Sequence, residues 1–406
     1  MGRFKVYIKP FDEFGEYVSD WTNVTEDVDM AGISSIKQSL DNTEYDVGIF
    51  KNNSLTLTLI NNTGLYSDVG GSNTIFKTRR SNSLVRVDWE IMHRNTDCGF
   101  FNCGEIYLSE DVTLFEGLLS DDAIKQNASD QNLQFQVLGK ERIFSEAKVQ
   151  IASHTIGDSF ETIILNMLQQ TSITDLLTVS AANIDCGVNS TADAVAFLEN
   201  KTIAEGLKEV LLYSNSVLYI LNDTIYVKPR DASADLMYTF YGQGVIYAME
   251  NIIDLIDYRS GQNRTFNFWT WADTTNVSQD ATSVSVYGIR KKEITTALIT
   301  NSGKRDTILA SLKNEFANPK IEFILRAPMN YDTIALNLLD KVSVDYPNIG
   351  LVESGNLALW DSAVWDVDKF PIEILPITID AATRFKILSK DIDTANQEVV
   401  FYLREV

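Results

Sequence analysis

TLFEGLLSDD (Thr113–Asp122), AIKQNASDQN (Ala123–Asn132) and LQFQVLGKERI (Leu133–Ile143) form one run, Val112–Ile143, whose reading decides the fold. In its last part Leu133, Phe135 and Val137 fall on one side, and Gln134, Gln136 and Leu138 on the other. A period of two marks a half-buried strand. Leu114 and Phe115 lead into Gly117, and Leu118 and Leu119 precede an acidic turn expected at Asp121-Asp122. Just upstream, GEIYLSED (Gly104–Asp111) reads as a third strand. The whole run predicts a sheet with a long polar connection and carries no catalytic motif.

The same alternation recurs through residues 1–150. Phe4, Val6 and Ile8 alternate with Lys5, Tyr7 and Lys9; Leu55, Leu57 and Leu59 alternate with Thr56, Thr58 and Ile60. Val85, Val87 and Trp89 alternate with Arg86, Asp88 and Glu90. Asn61-Asn62-Thr63-Gly64 closes one strand as a turn. Six or more strands joined by turns predict a first all-β sandwich or barrel domain.

Over 151–233 the period changes. Phe160, Ile163, Ile164, Met167 and Leu168 share one helical face. Asp158 stands where an N-cap should, with Glu161 three residues on, and Thr202 with Glu205 repeats the capping-box pattern before a second helix. That helix carries Ile203, Leu207, Val210 and Leu211. SVLYILNDTIYVKPR then predicts a hairpin turning at Asn222-Asp223. Helix, helix, hairpin makes a small α+β domain.

Strand patterns return over 234–406: DLMYTFYG, TFNFWTWAD, SVSVYGIRKKEIT, KIEFILRAP and DKVSVDYP. In the last, Val342, Val344 and Tyr346 are expected inside, and Lys341, Ser343 and Asp345 outside. One helix intervenes, with Asp306 as its expected cap, Ile308, Leu309, Leu312 and Phe316 as its face, and Pro319 as its stop. The chain closes with FKILSKDID, a turn at Thr394–Asn396, and EVVFYLREV.

The 406 residues are 45% hydrophobic and 22% charged, enough for two or three cores. A formal charge of -22 argues against coating nucleic acid, which needs clusters of Lys and Arg, and suits a wall that DNA slides past. No charged-then-apolar leader precedes GRFKVYIKPF, and no run has the length of a membrane span. Three cysteines (Cys98, Cys103, Cys186) without zinc-like spacing fit a reducing compartment. A Cys98–Cys103 bridge is the weaker reading, and the Asn-x-Ser/Thr triplets reflect an Asn-rich chain.

The search for chemistry yields no catalytic, cofactor-binding or metal-binding residue and no expected cofactor. His93 and His154 lie on different predicted elements, and His154 reads as a loop residue before a helix rather than a base. There is no HExxH, GxSxG or Walker loop, and Gly70-Gly71 reads as a turn. Asp121 with Asp122, and Asp361 with Asp366 and Asp368, are the carboxylate pairs a glycosidase reading would need. The solvated-surface reading is preferred for both. Trp360 and Trp365 are read as loop anchors at a subunit contact, with sugar stacking as the alternative. Asp366-Val367-Asp368 lacks the rest of a calcium loop.

Several passages carry a resemblance. Phe115-Glu116-Gly117 within strand, strand, long loop, strand is similar to the tube-like β-barrel of bacteriophage tail proteins. The capped helix followed by SVLYI, a turn and IYVKPR resembles the baseplate hub (tail-tip hub) proteins of long-tailed phages. NIIDLIDYRSGQNRTFN (Asn251–Asn267), LLDKVSVDYP (Leu338–Pro347) and the closing pair of strands are similar to the second barrel of those hubs. LALWDSAVWDVDKF (Leu357–Phe370) departs from the pattern and reads as a loop decoration.

The resemblance implies a mainly β fold: two tail-tube-like β-barrel or sandwich domains (1–150 and 234–406) flanking the α+β domain (151–233). It further implies a non-enzymatic virion protein of the tail tip, assembled in the host cytoplasm. Such a hub is a homotrimeric, pseudo-hexameric ring between a distal tail or tail tube ring and a central fibre or spike. The tape measure protein is a further candidate partner. Genomic DNA would pass through without specific binding, and the chain would not insert in a membrane. A hexameric distal tail protein and a tail-associated glycan hydrolase are the alternatives.

Overall fold

Alternating side chains give strands only where one face finds a core, and the main sheet supplies two such places. The computed structural model describes residues 3–29, 33, 36–41, 49–50, 53–66, 69–70, 72, 74–94, 107–126, 132–221, 223–230, 235–242, 251–259, 265–346, 379 and 381–406. The first strands are β1 (Arg3–Lys9), β2 (Thr22–Asn23), β3 (Ile36–Asp41), β4 (Ile49–Phe50), β5 (Ser54–Ile60), β6 (Leu84–Arg94), β7 (Tyr107–Gln126) and β8 (Asn132–Gly139). Helices α1 (Ile143–Glu146), α2 (Phe160–Leu168), α3 (Thr171–Thr174) and α4 (Ile203–Tyr213) lead to the hairpin β9 (Ser216–Leu221) and β10 (Thr224–Pro229). Then come β11 (Leu236–Tyr241), β12 (Asp254–Arg259), β13 (Phe268–Trp271), β14 (Val277–Gln279), α5 (Ala281–Tyr287), β15 (Lys291–Ile294) and α6 (Ser302–Phe316). The last elements are β16 (Glu322–Pro328), α7 (Tyr331–Ala335), β17 (Lys341–Asp345), β18 (Arg384–Asp393) and β19 (Glu398–Glu405).

The fold is mainly β with an α+β insertion. Among the described residues the main sheet runs β12-β16-β19-β18-β3-β5-β8-β7-β6-β1-β2, with β4 on β3, and β11 joined through β17 to β18. The sheet rolls up twice. In the first roll β1, β6, β7, β8 and β5 are successive antiparallel neighbours. The segment 22–29 spans its two ends: Thr22 and Asn23 pair with β1, while Val28 bridges Leu59 of β5. In the second roll β11, β17, β18, β19, β16 and β12 follow one another. Asn251 draws its ends together, since its side chain accepts from the Tyr241 N–H (2.6 Å) and donates to the Tyr238 hydroxyl (2.8 Å).

Two buried clusters result. One joins Val6, Leu57, Val85 and Phe135 of the first roll with Phe240, Phe323, Phe385 and Phe401 of the second. The other gathers α2, α4 and the β9–β10 hairpin with Trp269, Trp271, Leu309 and Phe316. The insertion between β12 and β16 thus packs on the α+β unit.

Several local expectations are met. Leu133, Phe135 and Val137 are buried, as is the face of α2. Thr202 and Glu205 form a reciprocal capping box on α4. The hairpin turns through Asp223 at φ +60°, a conformation that Asp tolerates.

Others are corrected. The cap of α2 is Ser159, whose side chain accepts from the Thr162 N–H. Asp158 is engaged one turn earlier, by the N–H and hydroxyl of Thr155 at 2.7 Å each, and Glu161 accepts from the Cys186 N–H instead. The cap of α6 is Asn301 rather than Asp306, which lies inside the helix and accepts from Asn276 at 2.6 Å. SVSVYG is not a strand. The Asp280 side chain accepts from the Ser283 N–H and starts α5, which Gly288 at φ +73° ends. Serines alternating with valines satisfy either period, and the cap decides.

Asp121-Asp122 is no turn. From Tyr107 on, YLSED and TLFEGLLSDD belong to the single strand β7, which crosses 121–122 with a register shift against β8 and continues to Gln126. Ser343 is buried rather than exposed, because its hydroxyl hydrogen-bonds to Thr239 Oγ1 at 2.8 Å.

Candidate assembly site

The two rolls share one topology. Numbering each roll's strands in chain order, with 22–29 as the second of the first roll, the neighbour order in both is first, fourth, fifth, sixth, third, second. The match reaches single residues. Before β6, Asn82 has φ +65°; its N–H bonds Leu119 O, and Leu119 N–H returns to Ser83 O. Before β17, Leu339 has φ +69°; its N–H bonds Ile387 O, and Ile387 N–H returns to Asp340 O. Just past these positions both fifth strands shift register, β7 after Ser120 and β18 after Ile387. One difference is the first strand, antiparallel to the fourth in the first roll and parallel in the second.

A short seam joins the rolls. β3 leaves the first roll and pairs antiparallel with β18, from Ile36↔Ile392 to Ser39↔Ser389. The two isoleucines are fully buried, and Lys37 stands opposite Asp391. β3 pairs with its own roll at Lys37↔Ser54, and its Ser39 N–H donates to Asn53 Oδ1 at 3.3 Å.

Two polar junctions hold the α+β unit and the insertion between β12 and β16 against this frame. The first lines a cleft of about 450 Å³ where the first roll, the hairpin and the residues before β17 meet. Buried Lys140 Nζ lies 2.7 Å from both Glu116 and Asp223, tying β7 to the hairpin turn. Beside it, Glu141 Oε1 accepts from Asn53 Nδ2 at 2.6 Å. Burial pushes the Glu141 carboxyl up to about 7, against its own backbone N–H and Lys140, which favour ionisation. A Cβ on Gly139 would come within 1.9 Å of that carboxylate, so any larger residue there would have to displace the Glu141 side chain. Lys390 donates to the carbonyls of Ile334 and Leu336, and burial lowers its ammonium to about 8 despite nearby Asp340.

The second junction clamps α6 to the second roll. Glu315 is 3.2 Å from Lys386, 3.2 Å from Lys320 and 4.0 Å from Arg404. Arg404 also faces Glu322 at 3.5 Å, and Lys386 donates to Arg230 O at 2.9 Å. Burial alone would raise the Glu315 carboxyl, but Lys386, Lys320, Arg404 and Arg230 hold it well below the usual range. Two carboxylates are thus shared among cations that come from different elements, which is the arrangement of a clamp.

The residues singled out in sequence do not converge. His93 is in β6, paired with Leu108. His154 is buried, and neither ring nitrogen has a hydrogen-bond partner among the described residues; burial lowers its pKa, with Asp158 opposing. Cys186 is buried and free, its thiol pushed up to about 12 by burial. Gly70 makes a turn at φ +76°, bonding Phe76 O. Asp361, Asp366, Asp368, Trp360, Trp365, Cys98 and Cys103 lie outside the described residues. Among the described residues no three His, Cys, Asp or Glu cluster to hold a metal, and no helix is long and apolar enough to cross a membrane. The junctions escaped sequence reading because their partners are far apart in the chain.

Neither a protein-family model nor a curated protein sequence matches the chain. Solved structures do. A tail protein from Neisseria meningitidis superposes with TM-score 0.56 at 10% identity, covering 100% of this chain and 96% of that one. The fold is that of phage tail proteins. The 43 kDa tail protein of prophage MuSo2 from Shewanella oneidensis gives 0.52 at 12% identity, over 99% and 98% of the two chains. The prophage tail protein gp18 from Listeria monocytogenes gives 0.51 at 12% identity, over 98% and 94%. The tail-protein fold therefore takes in both rolls and the α+β unit.

Proposed function

We propose that the chain is a structural subunit of a phage tail tip, the hub of its baseplate, and that three copies close into a ring. The observation that carries this is the strand-for-strand repeat. Two rolls per chain let a threefold ring present six similar units, which is what a subunit must do to join a sixfold tube to a threefold fibre or spike. The division into 1–150, 151–233 and 234–406 belongs to the same proposal, the middle unit bracing the two rolls. Partners on this reading are a distal tail or tail tube ring, the central fibre or spike, and the tape measure protein, with DNA passing through the ring. The acidic balance leads to lumen-facing loops of net negative charge; a basic lumen would count against the conduit.

Solution mass tests the stoichiometry. Light scattering on the purified chain, alone and with the other tail-tip proteins, is expected to give a trimer of about 137 kDa, three times 45.6 kDa. A hexamer would favour a distal tail protein instead. A monomer with every partner would leave the ring without support.

A further inference from the structure

We propose that Glu141 is a proton-operated catch on the seam between the rolls: neutral, it holds β3 to the first roll and to the start of the α+β unit, and ionised, it lets β3 leave. The inference concerns the single chain and stands apart from the ring.

The catch lies where the chain leaves the first roll. β8 ends at Gly139, and Lys140 and Glu141 are the next two residues. Asn53, just before β5, binds on three sides. Its carbonyl accepts from the Gly139 N–H at 2.7 Å, its Oδ1 accepts from the Ser39 N–H at 3.3 Å, and its Nδ2 donates to Glu141 Oε1 at 2.6 Å. One residue thus joins β8, the seam strand and the carboxyl. Ser39 stands opposite Ser389 at the end of the seam, and the Ser389 hydroxyl donates to Gln38 O at 3.2 Å. Among the described residues β3 pairs with β5 at one register position, Lys37↔Ser54, so the Asn53 side chain carries much of that attachment.

The surroundings decide the proton. Glu141 is buried, and the described cations that line the same cleft are engaged elsewhere. Lys140 lies 2.7 Å from both Glu116 and Asp223, Lys390 donates to the carbonyls of Ile334 and Leu336, and Arg86 Nε is 3.0 Å from Asp88. An ionised Glu141 would be a third carboxylate for the one ammonium of Lys140. A buried carboxylate without a counter-charge of its own takes up a proton instead, and the Glu141 carboxyl stands at about 7. Turning into the adjoining cleft of about 450 Å³ would hydrate the ionised group and break its bond to Asn53.

Closed, the carboxyl keeps its proton up to about 7; open to water, it ionises from its ordinary 4.5. Opening therefore releases a proton between these values. The open fraction should rise about tenfold per pH unit across that window and level off above it.

Hydrogen exchange on the full chain at pH 5, 6, 7 and 8, with each rate divided by its intrinsic chemical rate, reads this opening. The β3 amides of residues 36–39 are expected to lose protection about tenfold per unit from pH 5 to 7 and to stay level from 7 to 8. They should do so at lower protection than the amides of α2, whose exchange reports unfolding of the whole chain. Glu141→Gln keeps the acceptor for Asn53 and carries no charge, so its β3 protection should stay at the acid value throughout. Should that variant fail to fold, the native chain decides alone. Protection of β3 that does not change with pH overturns the catch, as does a Glu141→Gln chain that keeps the native slope. Equal protection of β3 and α2 at every pH would link the proton to global unfolding only and overturns it too.

Discussion

Glu315→Gln should destabilise the protein by about 3–5 kcal/mol, the cost of leaving buried cations without their counter-charge. Glu315 is 5% exposed and lies among Lys386, Lys320, Arg404 and Arg230. Lys386 and Arg404 are themselves buried, so no water can replace the lost carboxylate. Urea unfolding checks the loss as a fall in midpoint at unchanged slope. The double variant Glu315→Gln/Lys386→Met should recover much of it, because the charge left unpaired is removed as well. Acid should mimic the single variant. Because the Glu315 carboxyl is held low in the folded state, its contribution is complete above its ordinary value near 4.5 and is lost as pH falls from there through the folded value. A Glu315→Gln chain as stable as the native one would mean that α6 is held by its apolar face alone.

Glu141→Gln has the opposite sign. The Glu141 carboxyl is raised to about 7 by burial, so between about 4.5 and 7 the native state holds a proton that the unfolded chain has released. Stability therefore falls as pH rises through that window, and above it the deficit is constant, about 3 kcal/mol at about 1.4 kcal/mol per pH unit. Glutamine keeps the acceptor that Asn53 Nδ2 meets and carries no charge. The variant should gain about 3 kcal/mol at pH 8, little at pH 4, and lose most of the slope between. Unfolding midpoints at the two pH values check this; an equal effect at both would assign the gain to packing rather than ionisation.

Strand existence was legible in the sequence wherever alternation was clean, as at Leu55–Leu59 and Leu133–Val137, because a half-buried strand has no other way to sort its side chains. The capping box of α4 was legible for a similar reason: Thr202 and Glu205 satisfy each other locally. Caps whose carboxylates had a competing donor were misplaced, as Asp158 and Asp306 illustrate. Alternation also treats every polar residue as solvent-facing, which fails at Ser343 and gives no hint of the buried Lys386, Lys390 and Arg404. Their partners are distant: 71 residues separate Glu315 from Lys386, and 88 separate Asn53 from Glu141.

The internal repeat was hidden for another reason. Equivalent positions share backbone geometry rather than residue type, Asn82 with Leu339 and Leu119 with Ile387. A residue such as Leu339, held at positive φ by two backbone hydrogen bonds to its neighbours' strand, gives no glycine or asparagine signal to read. The resemblance to tail-tip hubs anticipated two β units around an α+β one, and the strand order supplies the symmetry relation between them.

Electron microscopy of the chain assembled with its tail-tip partners tests the proposed ring most directly. Viewed down the axis, the ring is expected to show six rolled-sheet densities of two alternating kinds around a threefold axis, with an open channel. Six identical densities, each from its own chain, or a particle with no ring, would contradict it.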